Sequence, residues 1–262
     1  MKTQELFDLG GRTAIVTGGG THLGRSMATA LGELGATVVI ASRRQDLCER
    51  VAAEMREEGI DCTGLGCDVT DESQVDSLVD RVVEAHGRLD IMVCNAGGSA
   101  TTTYIPQASI DEFRRSWEMN VTSTYMCAQA AARVMIPQRY GKIITLGSIH
   151  GILSNDKRFY RGLNMYRSGP PYQAAKGAIV NLTRALAAEL GEYGITANCI
   201  SPGQIPRSDT DPEMVERGRL LNPLERTGTP DDVKGAVVLL ASRGGDWITG
   251  HNLVVDGGWS IW

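Results

Sequence analysis

The chain has 262 residues, of which 42% are hydrophobic and 22% charged, an ordinary balance that suffices for one large α/β domain or two small ones. Its formal net charge of -5 argues against a nucleic-acid or anionic-membrane surface. No apolar run approaches the roughly 20 residues that span a bilayer, and the polar start "MKTQELFDLG" lacks the apolar stretch of a secretion signal.

The first apolar run, "TAIVT" (13–17), reads as a strand, and a helical pattern follows over 23–34. The turn between them is rich in glycine: Gly18, Gly19, Gly20 and Gly24. A strand, a glycine-rich turn and a helix are the setting in which such a motif points to a dinucleotide. Gly18 lets the chain turn sharply, Gly24 lets the helix approach the sheet, and the first helical amides face a pyrophosphate. The spacing is T-G-x-x-x-G-x-G in outline, with His22 at the middle glycine position. A side chain there must point away from the cofactor, or the loop must shift.

A second strand, "TVVIA" (37–41), ends in Ser42, Arg43 and Arg44. A carboxylate at such a tip binds the ribose 2′-hydroxyl of NAD. Arginine there calls for an anion instead, so a 2′-phosphate held by Arg43 predicts NADP ahead of NAD. Next come a helix over 44–58, a weaker strand "CTGLG" (62–66), a helix over 71–86, the strand "DIMVC" (90–94) and a helix over 110–136. "KIITLG" (142–147) is again a strand. Two prolines, Pro170 and Pro171, then precede a helix over 173–191, because proline is tolerated at a helix start and not inside. Tyr172 sits in the first turn of that helix and Lys176 one turn later on the same face. An ammonium beside a phenol lowers its pKa from about 10, as proton transfer near neutral pH requires. The remaining elements are the strand "TANCI" (196–200), a helix over 230–242 and the strand "NLVV" (252–255).

Apolar strands alternating strictly with helices predict one doubly wound parallel sheet covered on both faces, a Rossmann-like α/β domain spanning 1–262. The six cysteines, Cys48, Cys62, Cys67, Cys94, Cys127 and Cys199, include no C-x-x-C. They read as reduced, buried thiols of a cytoplasmic protein. His22, His86, His150 and His251 show no ligand spacing, and no metal is expected.

These motifs, in this order, closely resemble the classical short-chain dehydrogenase/reductase family over essentially the whole chain. The match rests on Thr17, Gly18 and Gly24 of the turn, Asp68 in "CDVTD", Asn95-Ala96-Gly97, Asn120 in "MNVTSTY", Ser148 in "ITLGSIHG", Tyr172 with Lys176, and Pro202-Gly203. The family usually has a threonine a few residues after that Pro-Gly, where this chain has Arg207 and Ser208. The resemblance implies a catalytic set of Ser148, Tyr172, Lys176 and Asn120. It implies cofactor contacts from Gly18, Gly20, His22, Leu23 and Gly24, from Ser42, Arg43 and Arg44, and from Asp68, Val69, Asn95, Ala96 and Gly97. Tyr172, Lys176, Pro202, Gly203 and Ile205 complete that set. In the implied mechanism Tyr172 exchanges a proton with the substrate oxygen and Ser148 hydrogen-bonds it. Lys176 holds the nicotinamide ribose and lowers the tyrosine pKa, and Asn120 holds a water. A homotetramer is also implied.

The spacer between Ser148 and Tyr172 is longer than the family usually has and carries Lys157, Arg158, Arg161 and Arg167 against Asp156. An inserted substrate loop is expected over 150–171, with His150, Arg161 and Tyr166 as substrate contacts beside Ser148, and a lid over 203–221. One of the arginines would pair with an anionic group, which suggests a sugar acid, sugar or polyol, as for a gluconate 5-dehydrogenase. A 3-oxoacyl-carrier-protein reductase shares the same motifs. A non-catalytic dinucleotide sensor or scaffold would be expected to have lost Ser148, Tyr172 or Lys176, and all are present.

Overall fold

Adjacent residues of each central strand fall into opposite cores. Ile15, Val39, Met92 and Ile143 pack with one set of helices, and Val16, Ile40, Val93 and Ile144 with the other. Side chains alternate along a strand, so burial on both faces demands apolar residues at every position. The structure is a computed structural model and describes residues 1–99, 103–163 and 165–262. Residue 164 of the expected substrate loop lies outside the described residues.

Among those residues the strands are β1 (Thr13–Thr17), β2 (Thr37–Ser42), β3 (Cys62–Gly66), β4 (Ile91–Cys94), β5 (Gly141–Leu146), β6 (Ile195–Pro202) and β7 (Asn252–Val255). They form one sheet in the order β3-β2-β1-β4-β5-β6-β7, with every neighbouring pair parallel. Helices α1 (His22–Glu33), α2 (Gln45–Glu57), α3 (Glu72–His86), α4 (Ile110–Trp117), α5 (Ser123–Gln138), α6 (Pro170–Leu190), α7 (Pro212–Leu221) and α8 (Lys234–Ala241) connect them. The strand order reverses between β1 and β4. The chain leaves these two strands in opposite directions, which opens a crevice at their carboxyl ends.

Three elements differ from expectation. The helix expected over 110–136 is α4 and α5 joined by a π-helical turn, Glu118–Thr122. Asn120 lies in that turn, and its Nδ2 donates to the Ser116 carbonyl at 2.8 Å and to Gly98 O at 3.0 Å. The bond to Gly98 is tertiary and overrides the local helical pattern. Helix α6 begins at Pro170 itself, with both prolines in its first turn, where their missing N–H groups have no helical partner to lose. The helix expected over 230–242 opens as a tighter 3-10 turn, Pro230–Val233, capped by Thr229, before α8.

Candidate active site

Two glycines shape the turn after β1. Gly18 has φ +65, and a Cβ on it would stand 2.8 Å from Asn95 Nδ2. A Cβ on Gly24 would stand 2.2 Å from the Gly18 carbonyl oxygen. The turn and the start of α1 therefore touch backbone to backbone. Asn95 braces the same point. Its Nδ2 donates to Thr17 O at 2.8 Å, and the Asn95 and Ala96 amides both donate to Thr17 Oγ1. Gly20 faces the other way. It is buried with its Cβ position 3.4 Å from Leu47 of α2, so it supports the turn from behind and does not line the crevice.

The crevice has a volume of about 620 Å³. Gly18, His22, Leu23 and Gly24 line its floor, and Ser42, Arg43 and Arg44 line one end. Asp68 and Val69 flank that end, and Asn95, Ala96 and Gly97 form the adjoining wall. Ser148, Tyr172 and Lys176 stand at the opposite end under Pro202, Gly203 and Ile205. Arg207 also lines it, in the stretch where the family motif calls for threonine. Thr21, Cys67, Thr70, Gly98, Met119, Leu146 and Gly147 complete the lining and were not singled out from the sequence; each is a neighbour of a motif residue.

His22 adopts φ 49, a left-handed conformation that suits the glycine it replaces. Its ring leaves the crevice floor and reaches the segment after β6, with Nε2 donating to the Pro206 carbonyl at 3.4 Å. Burial lowers its pKa, the bond to Pro206 opposes that, and the Arg207 charge adds to the lowering.

The start of α6 positions Tyr172 and Lys176. Lys176 is 5% exposed and donates from Nζ to the Leu146 carbonyl at 2.7 Å. Its Nζ stands 5.6 Å from the centroid of the Tyr172 ring. Burial drives the lysine down to about 8 and drives Tyr172 up, the latter opposed by a hydrogen bond with Ser148. The shift of Tyr172 is thus upward, set by burial, where a lowering by Lys176 was expected, and the phenol holds its proton at neutral pH. Ser148 caps the short turn after β5 and accepts from the His150 amide at 3.1 Å. Asn120 does not reach the crevice surface. It is 1% exposed and also accepts from the Gly98 amide at 3.0 Å, holding the Gly97–Gly98 wall from beneath.

A second cavity, of about 290 Å³, adjoins this end. His150 lines it and sets its ring edge-on to Tyr172, centroids 6.5 Å apart. Burial pushes His150 down to about 4, and its buried Nδ1 has no hydrogen-bond partner among the described residues. Trp259 and Trp262, far along the chain, line the same cavity. No spacing in the sequence signals them. Arg161 and Tyr166 line neither cavity; both are exposed. The Arg161 carbonyl instead accepts from Arg217 of α7, as does the Phe159 carbonyl. Arg158 is paired with Asp156 through both carboxylate oxygens, and the Arg167 guanidinium lies 3.6 Å above the Tyr104 ring. Two of the loop's arginines, Arg158 and Arg167, are thus occupied within the protein itself.

Among the described residues, no group of three His, Cys, Asp or Glu side chains is placed to hold a metal ion, and no helix is long and apolar enough to cross a membrane. All six cysteines are buried and unpaired as disulfides.

A family model described as enoyl-(acyl carrier protein) reductase matches residues 20–260. The chain is 37% identical to (+)-borneol dehydrogenase 1 of Salvia officinalis, over 97% of this chain and 95% of that protein. A solved short-chain type dehydrogenase/reductase from Mycobacterium marinum superposes with a TM-score of 0.89 at 35% identity, covering 100% of both chains. A gluconate 5-dehydrogenase from Burkholderia cenocepacia, solved in complex with NADP and tartrate, superposes with a TM-score of 0.89 at 30% identity, again over 100% of both.

Proposed function

The chain belongs to the classical short-chain dehydrogenase/reductase family, and from that premise we propose that it moves a hydride between NADP(H) and a secondary alcohol or ketone, with Tyr172 as the proton carrier. It is an oxidoreductase acting on CH–OH groups. The observation that carries the proposal is the meeting of Ser148, Tyr172 and Lys176 at one end of a crevice whose other end holds Arg43 and Arg44.

The crevice fits a dinucleotide. Its floor has no room for side chains at Gly18 and Gly24, and the N-terminus of α1 opens onto it with free amides that suit a pyrophosphate. Arg43 or Arg44 would hold a 2′-phosphate, for which NADP is the match; NAD would bind without that grip. Bound there, the cofactor supplies or accepts the hydride. Ser148 hydrogen-bonds the substrate oxygen and steadies the charge that develops on it. Tyr172 gives that oxygen a proton in reduction and takes it back in oxidation. Lys176, anchored on Leu146 O, would hold the ribose, and its ammonium would stabilise the phenolate left when Tyr172 gives its proton to the substrate oxygen. Asn120 fixes the Gly97–Gly98 wall from beneath, a positioning role.

Tyr172→Phe keeps the ring and removes the proton. Turnover should fall by at least about 10²-fold while NADPH binding, followed by fluorescence, stays within about twofold. Retained turnover would end the mechanism. For the substrate, the gluconate 5-dehydrogenase relative favours a sugar acid, sugar or polyol. The family model's description names an acyl carrier protein, which keeps a carrier-bound thioester such as a 3-oxoacyl group as the second reading. Segment 203–221 reads as a lid, because Pro206 meets His22 and Arg217 holds the inserted loop. A homotetramer is supported by the exposed Phe113, Trp117 and Tyr125 of the α4–α5 face, and a cytoplasmic setting by the six unpaired thiols.

A further inference from the structure

The second cavity carries more information about the substrate than the loop charges do. Its apolar wall is Leu153, Phe159, Tyr160, Leu221, Trp259 and Trp262. Phe159 stands at its centre, edge-on to Tyr160 with centroids 4.9 Å apart and edge-on to Trp259 at 5.4 Å. The polar lining is His150, Ser154, Asn155, Asp156 and Gln204. Two of these are already committed: Asn155 donates to the Ser168 carbonyl and accepts from Tyr160, and Asp156 is paired with Arg158. Among the described residues no lysine or arginine lines the cavity, and its only charge is the Asp156 carboxylate. His150 is uncharged at neutral pH.

The cavity is also placed for the chemistry. His150 stands between it and Tyr172. Gln204 lies on its wall between Gly203 and Ile205, which line the crevice. A substrate whose oxygen meets Tyr172 and Ser148 therefore extends its body toward the aromatic wall. An anion there would lose water and find no cation on the lining, and the nearby guanidinium of Arg158 is already held by Asp156. A polyol would leave several hydroxyls without partners. A compact ring would be covered by aromatic surface, and a volume of about 290 Å³ is near the lower end of the ~300–1,000 Å³ usual for small-molecule sites.

Resting on the reading of Tyr172 as proton carrier, we propose that this cavity is the substrate subsite and that it takes an uncharged, apolar alicyclic alcohol or ketone rather than a sugar acid. His150, uncharged and edge-on to Tyr172, stands where the cavity meets the proton carrier and offers no counter-charge.

The test compares borneol and D-gluconate as substrates of the full chain with NADP⁺, together with camphor binding followed by tryptophan fluorescence. The kcat/KM for borneol should exceed that for gluconate by at least about tenfold, a discrimination expected of an apolar pocket. Camphor should change the fluorescence saturably, and gluconate should not displace it. Phe159→Ala should raise the borneol KM about tenfold with NADPH affinity unchanged. Should that variant fail to fold, Leu153→Arg places a cation on the same wall and should shift preference toward gluconate. A gluconate kcat/KM equal to or above that of borneol, no saturable camphor signal, or a Leu153→Arg enzyme with unchanged preference would each overturn the proposal. The two readings fail separately. If Tyr172→Phe keeps turnover while camphor binds, the proton carrier is wrong and the cavity assignment stands. If gluconate is the better substrate and Tyr172→Phe is inactive, the cavity assignment is wrong and the proton carrier stands.

Discussion

Asn120→Asp changes one atom, NH₂ to O, and should be worse tolerated than Asn120→Ala at neutral pH. In the wild type, Asn120 accepts from the Gly98 amide at 3.0 Å and donates to Gly98 O at 3.0 Å and Ser116 O at 2.8 Å. Alanine loses all three bonds. At about 1 kcal/mol net for each that is about 3 kcal/mol, or roughly 6 °C in Tm for a chain of this size. Aspartate keeps the bond from the Gly98 amide but turns an oxygen toward two carbonyl oxygens at a site that is 1% exposed. Its folded pKa must therefore rise above the unfolded value of about 3.9, and each unit of rise costs about 1.36 kcal/mol. Near pH 4 the acid is largely protonated and its O–H can donate to one carbonyl, so the deficit is about 1 kcal/mol. As the pH rises the unfolded chain releases its proton first, so stability falls until the folded pKa is passed. Thermal melts at about pH 4 and about pH 8 should show an aspartate deficit that grows with pH, beside an alanine deficit that does not. An aspartate variant within about 2 °C of wild type at pH 8, or an equal deficit at both pH values, would refute the reasoning.

Lys176→Met should abolish turnover and raise stability at pH 7 by on the order of 2 kcal/mol, the cost of the buried ammonium less one lost bond. Burial lowers this lysine from 10.5 to about 8, so the gain is full below pH 8 and shrinks as the pH rises to 10.5, which melts across that window would show. Arg43→Ala should raise the Kd for NADPH at least about tenfold and leave that for NADH within about twofold, by fluorescence titration. Gly24→Ala must push its Cβ away from the Gly18 carbonyl, a backbone atom at 2.2 Å; a stability loss of about 1–3 kcal/mol and weakened cofactor binding should follow, measured by denaturant unfolding and titration.

The sheet was legible because burial on both faces leaves its mark at every strand position. Tyr172 and Lys176 were legible because proline dictates where α6 can begin, and helical spacing then puts both on one face. What stayed hidden depends on contacts between distant segments. The π turn at Asn120 is held by bonds to Gly98, 22 residues away. The destination of the His22 ring is a carbonyl 184 residues on. Trp259 and Trp262 meet His150 and Phe159 only in three dimensions. Composition counts the arginines of the basic loop but not their partners: Arg158 is paired with Asp156 and Arg167 lies over the Tyr104 ring.

The π turn has a consequence for how the two sides of this layer can vary. A π turn holds one residue more than an α turn, and each residue advances a helix by about 100°. Cys127, Ala128, Ala131 and Met135 lock α5 into the core beneath β4 and β5, so its rotation is not free. Deleting one residue from Glu118–Thr122 would let α4 and α5 fuse into one regular helix only by rolling α4 about 100° around its axis. Ile110, Phe113 and Trp117 would then leave the exposed position they hold now. The additional residue uncouples the two phases: the face that α4 shows outward and the face that α5 shows inward are chosen separately, with Asn120 as the pivot between them.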